Sequence, residues 1–130
     1  MSTRTGLRPQ VVIDAESMAA SITSDPTILQ SLTKASYQIT WTGTSPVGTV
    51  SVEGSNNYSL NPNGTVANQG TWTVLTLEVN GQPSTSVAVT GNSGDGIIDI
   101  VETAIYAVRL IYTRVSGTGT LTAVFNGKVA

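Results

Sequence analysis

The sequence predicts an all-β protein, a single antiparallel β-sandwich of jelly-roll-like type with about eight strands. Three observations point there. Residues 37–42, 106–113 and 120–125 alternate with a period of two, which no amphipathic helix keeps. Charged residues make up only 11% of the chain, against the usual quarter, and 20 threonines and 14 serines take their place. Threonine is β-branched and suits the solvent face of a strand. Turn signals rich in Gly, Asn and Pro recur at intervals of roughly 8 to 15 residues. An immunoglobulin-like sandwich satisfies the same pattern nearly as well.

In chain order, residues 1–9 form a polar N-terminal arm without periodicity, which a neighbouring subunit is expected to hold. The domain proper is expected over residues 10–130, within the usual size of one domain. Strands are expected over residues 10–15 and 17–23, followed by a turn at Asp25-Pro26. Residues 27–34 hold Ile28, Leu29 and Leu32 at helical spacing over barely two turns, so a loop or edge strand whose leucines cap the core is expected. Tyr37, Ile39 and Trp41 mark a clear strand. Residues 43–46 are expected to turn the chain, and residues 48–53 to return with Val50 and Val52 inward. Residues 55–70 form a long polar loop whose strongest turn signal is Asn61-Pro62-Asn63-Gly64.

Residues 72–79 and 84–90 are expected strands joined through Asn80-Gly81, a type I′ turn pair. Residues 91–96 are expected as a Gly-rich loop and residues 97–101 as a strand. The chain then closes with YAVRLIYTRVSGTGTLTAVFNGKVA, expected as two strands joined by a tight turn at residues 115–119. Glycine tolerates the positive φ that such a turn needs.

Composition narrows the function classes. Histidine and cysteine are both absent, which removes the commonest general base, the commonest metal ligand, disulfides and thiolate sites. Six Lys and Arg scattered through a chain of net charge −2 make no basic face, so nucleic acid is not an expected partner. No apolar run approaches the roughly 20 residues of a membrane span, and residues 1–10 hold no apolar signal core. The expectation is therefore a protein that is not an enzyme, with no cofactor, no metal and no membrane contact.

Asp95, Gly96 and Glu102 fall at positions five, six and twelve of a calcium-loop template, but Gly91 and Ser93 stand where its first ligands belong. A Gly-rich turn is the preferred reading. Asp14 with Glu16 and Asp99 with Glu102 are close acidic pairs, yet nothing places either in the aromatic-lined cleft a glycosidase needs. Among Trp41, Trp72, Tyr37, Tyr58, Tyr106 and Tyr112, most occupy inward strand positions, where an aromatic is ordinarily core. Tyr58 is the exception. With Asn56, Asn57 and Asn61 around it in a polar loop, it either contacts a partner or packs its own loop. Arg109, between Val108 and Leu110, is expected on the solvent face of its strand or paired with a carboxylate at an interface. Arg4, Arg8 and Arg114 could bridge to acidic neighbours in an assembly.

Trp41 to Thr44, Gly48 to Asn56, Trp72-Thr73 and Tyr106 to Thr122 together resemble a group of small structural proteins of tailed bacteriophages. In these a W-T-G-T-like turn, a G-T-x-x-V-x-x-S-N segment, a W-T strand and a closing Y-x-x-R-L-x-Y-T-x-x-S-G-T-G-T-L-T-x segment follow one another. The resemblance runs from about Tyr37 onward, although residues after Asn56 look longer than in the group. It implies a β-sandwich protein of the virion: a capsid decoration or cement protein that binds the major capsid protein or another virion protein, with a tail location also open. Arg4, Arg8, Asn56, Asn57 and Tyr58 are the expected partner-binding residues, and a homo-oligomer is expected. The alternative is a glycan- or receptor-binding module of a phage tail or adhesin, with Tyr58 and its asparagines as the contact loop. A glycosidase-like enzyme stands third.

Overall fold

In the computed structural model the described residues are 9–29, 32–79, 81–101 and 104–128. Arg4 and Arg8 of the arm, Asn80 and Glu102 lie outside them. Among the described residues there are twelve strands and no helix. They are β1 (Gln10–Ser17), β2 (Ile22–Thr23), β3 (Thr27–Ile28), β4 (Lys34–Ser55), β5 (Ser59–Leu60), β6 (Val66–Asn68), β7 (Thr73–Val74), β8 (Leu77–Val79), β9 (Gln82–Ser84), β10 (Val87–Val89), β11 (Ser93–Ile100) and β12 (Ala107–Lys128). The all-β expectation holds, and every pairing is antiparallel.

The centre of the fold is one pair of strands. β4 and β12 are 22 residues each and run side by side from Ala107 opposite Ser55 to Lys128 opposite Lys34. They anchor a ten-stranded sheet with the order β1-β12-β4-β11-β8-β9; β2 and β3 also pair with β12, and β7 and β10 with β4. β5 and β6 form a separate two-stranded hairpin.

This overturns two expectations. The closing segment is no hairpin, and residues 43–46 do not reverse the chain. Both sets of turn residues instead form facing irregularities in continuous strands, with register shifts at Arg114/Ser116 and Ser116/Thr118. Ser45 has φ 49° and Gly117 has φ 79°. A Cβ on Gly117 would sit 2.1 Å from the Ser45 carbonyl oxygen, so the glycine serves a bulge and a close strand approach.

Burial records the same event. In β4 the buried positions are Ala35, Tyr37, Ile39 and Trp41, then Pro46, Gly48, Val50, Val52 and Gly54, odd numbers giving way to even until Ser55 at the strand's end. In β12 Val108, Leu110 and Tyr112 are followed by Leu121, Ala123 and Phe125, even giving way to odd. A change of parity at the bulge keeps one face of each strand inward on both sides of it. Tyr37, Ile39, Leu121 and Phe125 of one half and Val50, Val52, Leu110 and Tyr112 of the other belong to one core cluster. Tyr37 and Phe125 meet edge to face with centroids 5.3 Å apart.

Smaller elements follow their local chemistry. Leu29 and Leu32 cap the core as expected, 1% and 7% exposed. The expected strand over 17–23 is a turn after β1 followed by the two-residue β2. The expected strand over 72–79 splits into β7 on β4 and β8 on β11, and that over 84–90 splits into β9 on β8 and β10 on β4. Gly81 (φ 78°) turns β8 into β9, with Val79 opposite Gln82. Residues 93–96, expected as a loop, are strand instead: Gly94 lies under the Trp41 indole, where a Cβ would meet Cζ2 at 2.2 Å.

Candidate functional site

Trp72, Arg109 and Tyr58 come together at one end of the long strands, under the β5–β6 hairpin. The register of β12 on β4 sets Arg109 opposite Glu53. Arg109 donates from Nε to Glu53 Oε1 at 2.9 Å, and its Nη2 lies 2.7 Å from the same oxygen. The guanidinium also lies 4.3 Å from the centroid of the Trp72 ring, a cation–π contact. Trp72 donates from Nε1 to the Gln69 carbonyl at 2.8 Å, and its ring meets Tyr58 at 5.6 Å with a 54° tilt. A planar cation is thus held on two sides.

The loop leading to Tyr58 is tied down by side chains. Ser55, 3% exposed, donates from Oγ to Asn57 Oδ1 at 2.9 Å and accepts the Tyr58 N–H at 3.2 Å. Asn57 Oδ1 also accepts the Thr71 N–H at 2.7 Å, and Asn57 Nδ2 donates to Thr71 Oγ1 at 3.2 Å. Asn56 Oδ1 accepts the Tyr106 N–H at 2.8 Å. Asn57 thus spends its amide oxygen within the loop, and Asn56 spends its own tying the loop to the segment before β12.

Beyond this base the hairpin tip is as expected: Gly64 has φ 89° and donates to the Asn61 carbonyl at 2.9 Å. Asn61 N donates to the Thr65 carbonyl at 2.7 Å, and Thr65 Oγ1 donates to Asn63 Oδ1 at 2.7 Å. Leu60 and Val66 face each other across the hairpin, 40% and 41% exposed.

Facing the hairpin is the Asp25-Pro26 corner. Buried Ser24 fixes it to β12: its N–H donates to the Leu110 carbonyl and its Oγ accepts the Leu110 N–H, both at 2.9 Å. Between corner and hairpin lies a cleft of about 390 Å³, lined by Asp25, Pro26, Tyr58, Leu60, Gly64, Val66, Gln69, Trp72 and Arg109.

The sequence-derived residues divide accordingly. Tyr58 lines the cleft but is only 8% exposed, so it packs its own loop more than it projects from it. Asn56 and Asn57 border a neighbouring hollow, not this cleft. Tyr37, Trp41 and Tyr112 are core as expected, whereas Tyr106 is 38% exposed and Trp72 half-buried. Trp72 and Arg109 were missed as site residues. The tryptophan looked like a core strand residue, and the partner of the arginine depends on a pairing 56 residues distant. Among the described residues no three of His, Cys, Asp and Glu gather to hold a metal. Asp14 and Glu16 stay exposed on β1, and Asp99 sits opposite Glu78.

Fold and site together define an all-β protein built on two long strands, with an aromatic–arginine cleft at the β5–β6 hairpin. Comparison of the sequence with protein-family models and with curated proteins finds no match. Among solved structures, the chain is similar to the SPBc2 prophage-derived protein YomS, with a TM-score of 0.57 and 13% identity over 97% of this chain and 98% of that one. At that identity the likeness is one of fold.

Proposed function

We propose that this chain is a non-enzymatic structural protein of a phage virion, a decoration or cement protein that binds the outer capsid surface and stabilises it. The observation that carries this reading is the shared fold with a prophage-derived protein along nearly the full length of both chains. The faces of β4 and β12 close on one core from both halves of the strands, which leaves sheet edges and loops outside as contact surface. Val11 on β1, Ile97 on β11 and Val115 at the bulge, 59%, 59% and 68% exposed, are apolar side chains free to contribute to such contacts.

The partner is the major capsid protein or another virion protein, and the chain acts as a homo-oligomer. Repetition on a symmetric shell turns modest contacts into large avidity, so no single strong site is required. The arm, with Arg4 and Arg8, adds interface to the contact.

Imaging of intact particles tests the location directly. Density for this chain on the outer capsid, with capsids more heat-resistant when it is present, is the expected result; density confined to the tail overturns the decoration role. Deleting residues 1–9 is expected to weaken capsid association, and unchanged association would remove the arm from the interface.

A further inference from the structure

The capsid role proposed above does not require the cleft between the Asp25-Pro26 corner and the β5–β6 hairpin, whose lining suits a small ligand. We infer that this cleft binds the ring of a neutral saccharide. Four features lead there.

The first is a fixed set of donors. Arg109 uses Nε and one Nη2 hydrogen on Glu53, and the Trp72 ring holds the guanidinium plane. Arginine carries five N–H donors, so others remain without a partner among the described residues while Glu53 and Trp72 hold the guanidinium in place. The second is an acidic residue: Asp25, exposed and lining the cleft from a corner that Ser24 pins to β12. The third is an apolar lining, Pro26 from the corner and Leu60 and Val66 from the hairpin, with Tyr58 also at the cleft. The fourth is volume. About 390 Å³ is near the lower end of ligand sites, suited to a mono- or disaccharide unit.

Charge selects among ligands. Arg109 is balanced by Glu53, and Asp25 leaves the group net negative. That rejects phosphates, sulfates and carboxylates, which would meet Asp25 with only a neutralised arginine to offset it. A purely apolar side chain would leave the Arg109 donors and the Asp25 carboxylate without partners, which is costly once water is expelled. A neutral pyranose meets both demands, since its hydroxyls donate and accept while its C–H face lies on apolar and aromatic groups.

The test uses the full chain. Neutral hexose and N-acetylhexosamine oligosaccharides, with sialylated and sulfated glycans beside them, are titrated while Trp72 fluorescence and the backbone amides of Leu60, Gly64 and Val66 are followed. Saturable shifts by at least one neutral glycan are expected, with none from the acidic ones. Asp25→Ala, at an exposed position, should weaken binding about tenfold or more while leaving the spectrum folded. Leu60→Asp should do the same from the apolar wall. No saturable response to any neutral glycan, preference for the acidic glycans, or binding that survives Asp25→Ala overturns the inference. Because Asp25→Ala particles should still carry the protein, failure here is separable from failure of the capsid role.

Discussion

Two glycines with positive φ show how differently the same residue can matter. Gly117 (φ 79°) has the Ser45 carbonyl 2.1 Å from where a Cβ would stand, while Gly64 (φ 89°) has nothing within 4 Å. Gly64→Ala should therefore cost only the left-handed backbone penalty, about 1 kcal/mol. Gly117→Ala must also push two strands apart, and about 2–4 kcal/mol is expected. Urea denaturation of both variants checks this, and equal costs would contradict the bulge. The Arg109–Glu53 pair is partly exposed, so Glu53→Gln should cost about 0.5–1 kcal/mol. Arg109→Ala loses the Trp72 contact and its buried stem as well, and about 1–2 kcal/mol is expected. Burial holds the Tyr37 hydroxyl well above the usual tyrosine value, with the Thr27 side chain pulling slightly the other way. Tyr112 is raised too, again by burial, with the Arg114 guanidinium opposing. A raised phenol binds its proton more tightly in the folded state, so its stabilising share is complete below the unfolded value near 10. It is lost as pH climbs from there through the folded value. Stability should thus fall above about pH 10, and Tyr37→Phe should flatten that alkaline limb without abolishing it, since Tyr112 remains. An unchanged limb would assign it to other groups.

At the scale of elements, local patterning revealed which residues are inside but not how strands continue. Tyr37, Ile39, Trp41, Val108, Leu110 and Tyr112 announce their burial by alternation, and all are 7% exposed or less. Gly117 announces only that φ may be positive, which a hairpin turn and a bulge both use. Choosing between them takes knowledge of the partner strand, and β4 lies far away in sequence. The same long-range register hid the ion pair of Arg109 with Glu53 and left Trp72 looking like core. The Asn61–Gly64 tip was legible because its chemistry is entirely local. Cysteine cross-linking separates the two readings of the closing segment. Thr49 lies opposite Thr113, and Thr40 opposite Thr122. T49C/T113C and T40C/T122C should each oxidise readily, since Cβ atoms of opposed residues come within about 4.5–5.5 Å. A turn at residues 115–119 would bring positions 113 and 122 near each other instead. Cross-linking of T113C/T122C within one chain would restore the hairpin and remove the continuous strand.

The architecture of the whole molecule also sets how it can form. β4 and β12 must find each other with Lys34 opposite Lys128 and Ser55 opposite Ala107, so the central pairing closes loops spanning most of the chain. Loop-closure entropy is lost before those contacts reward it, which slows folding. The hairpins β5–β6 and β8–β9 are local but small, and the former lies outside the main sheet. Neither contains the core, so neither makes a sufficient nucleus. Refolding is therefore expected on the millisecond-to-second scale of non-local β proteins. Truncations should divide by position. Leu110→Ala and Leu121→Ala remove fully buried side chains from the two halves of β12 and should each cost about 2–5 kcal/mol. If the β4–β12 pairing forms in the transition state, both slow refolding, with a substantial part of the lost stability appearing in the folding rate. Leu60→Ala and Val66→Ala, on the exposed hairpin, should leave the folding rate near that of the parent. Stopped-flow chevrons of the four variants decide the matter. Fast refolding with unchanged folding arms for Leu110→Ala and Leu121→Ala would mean that the long pair zips last, onto a structure assembled elsewhere in the sheet.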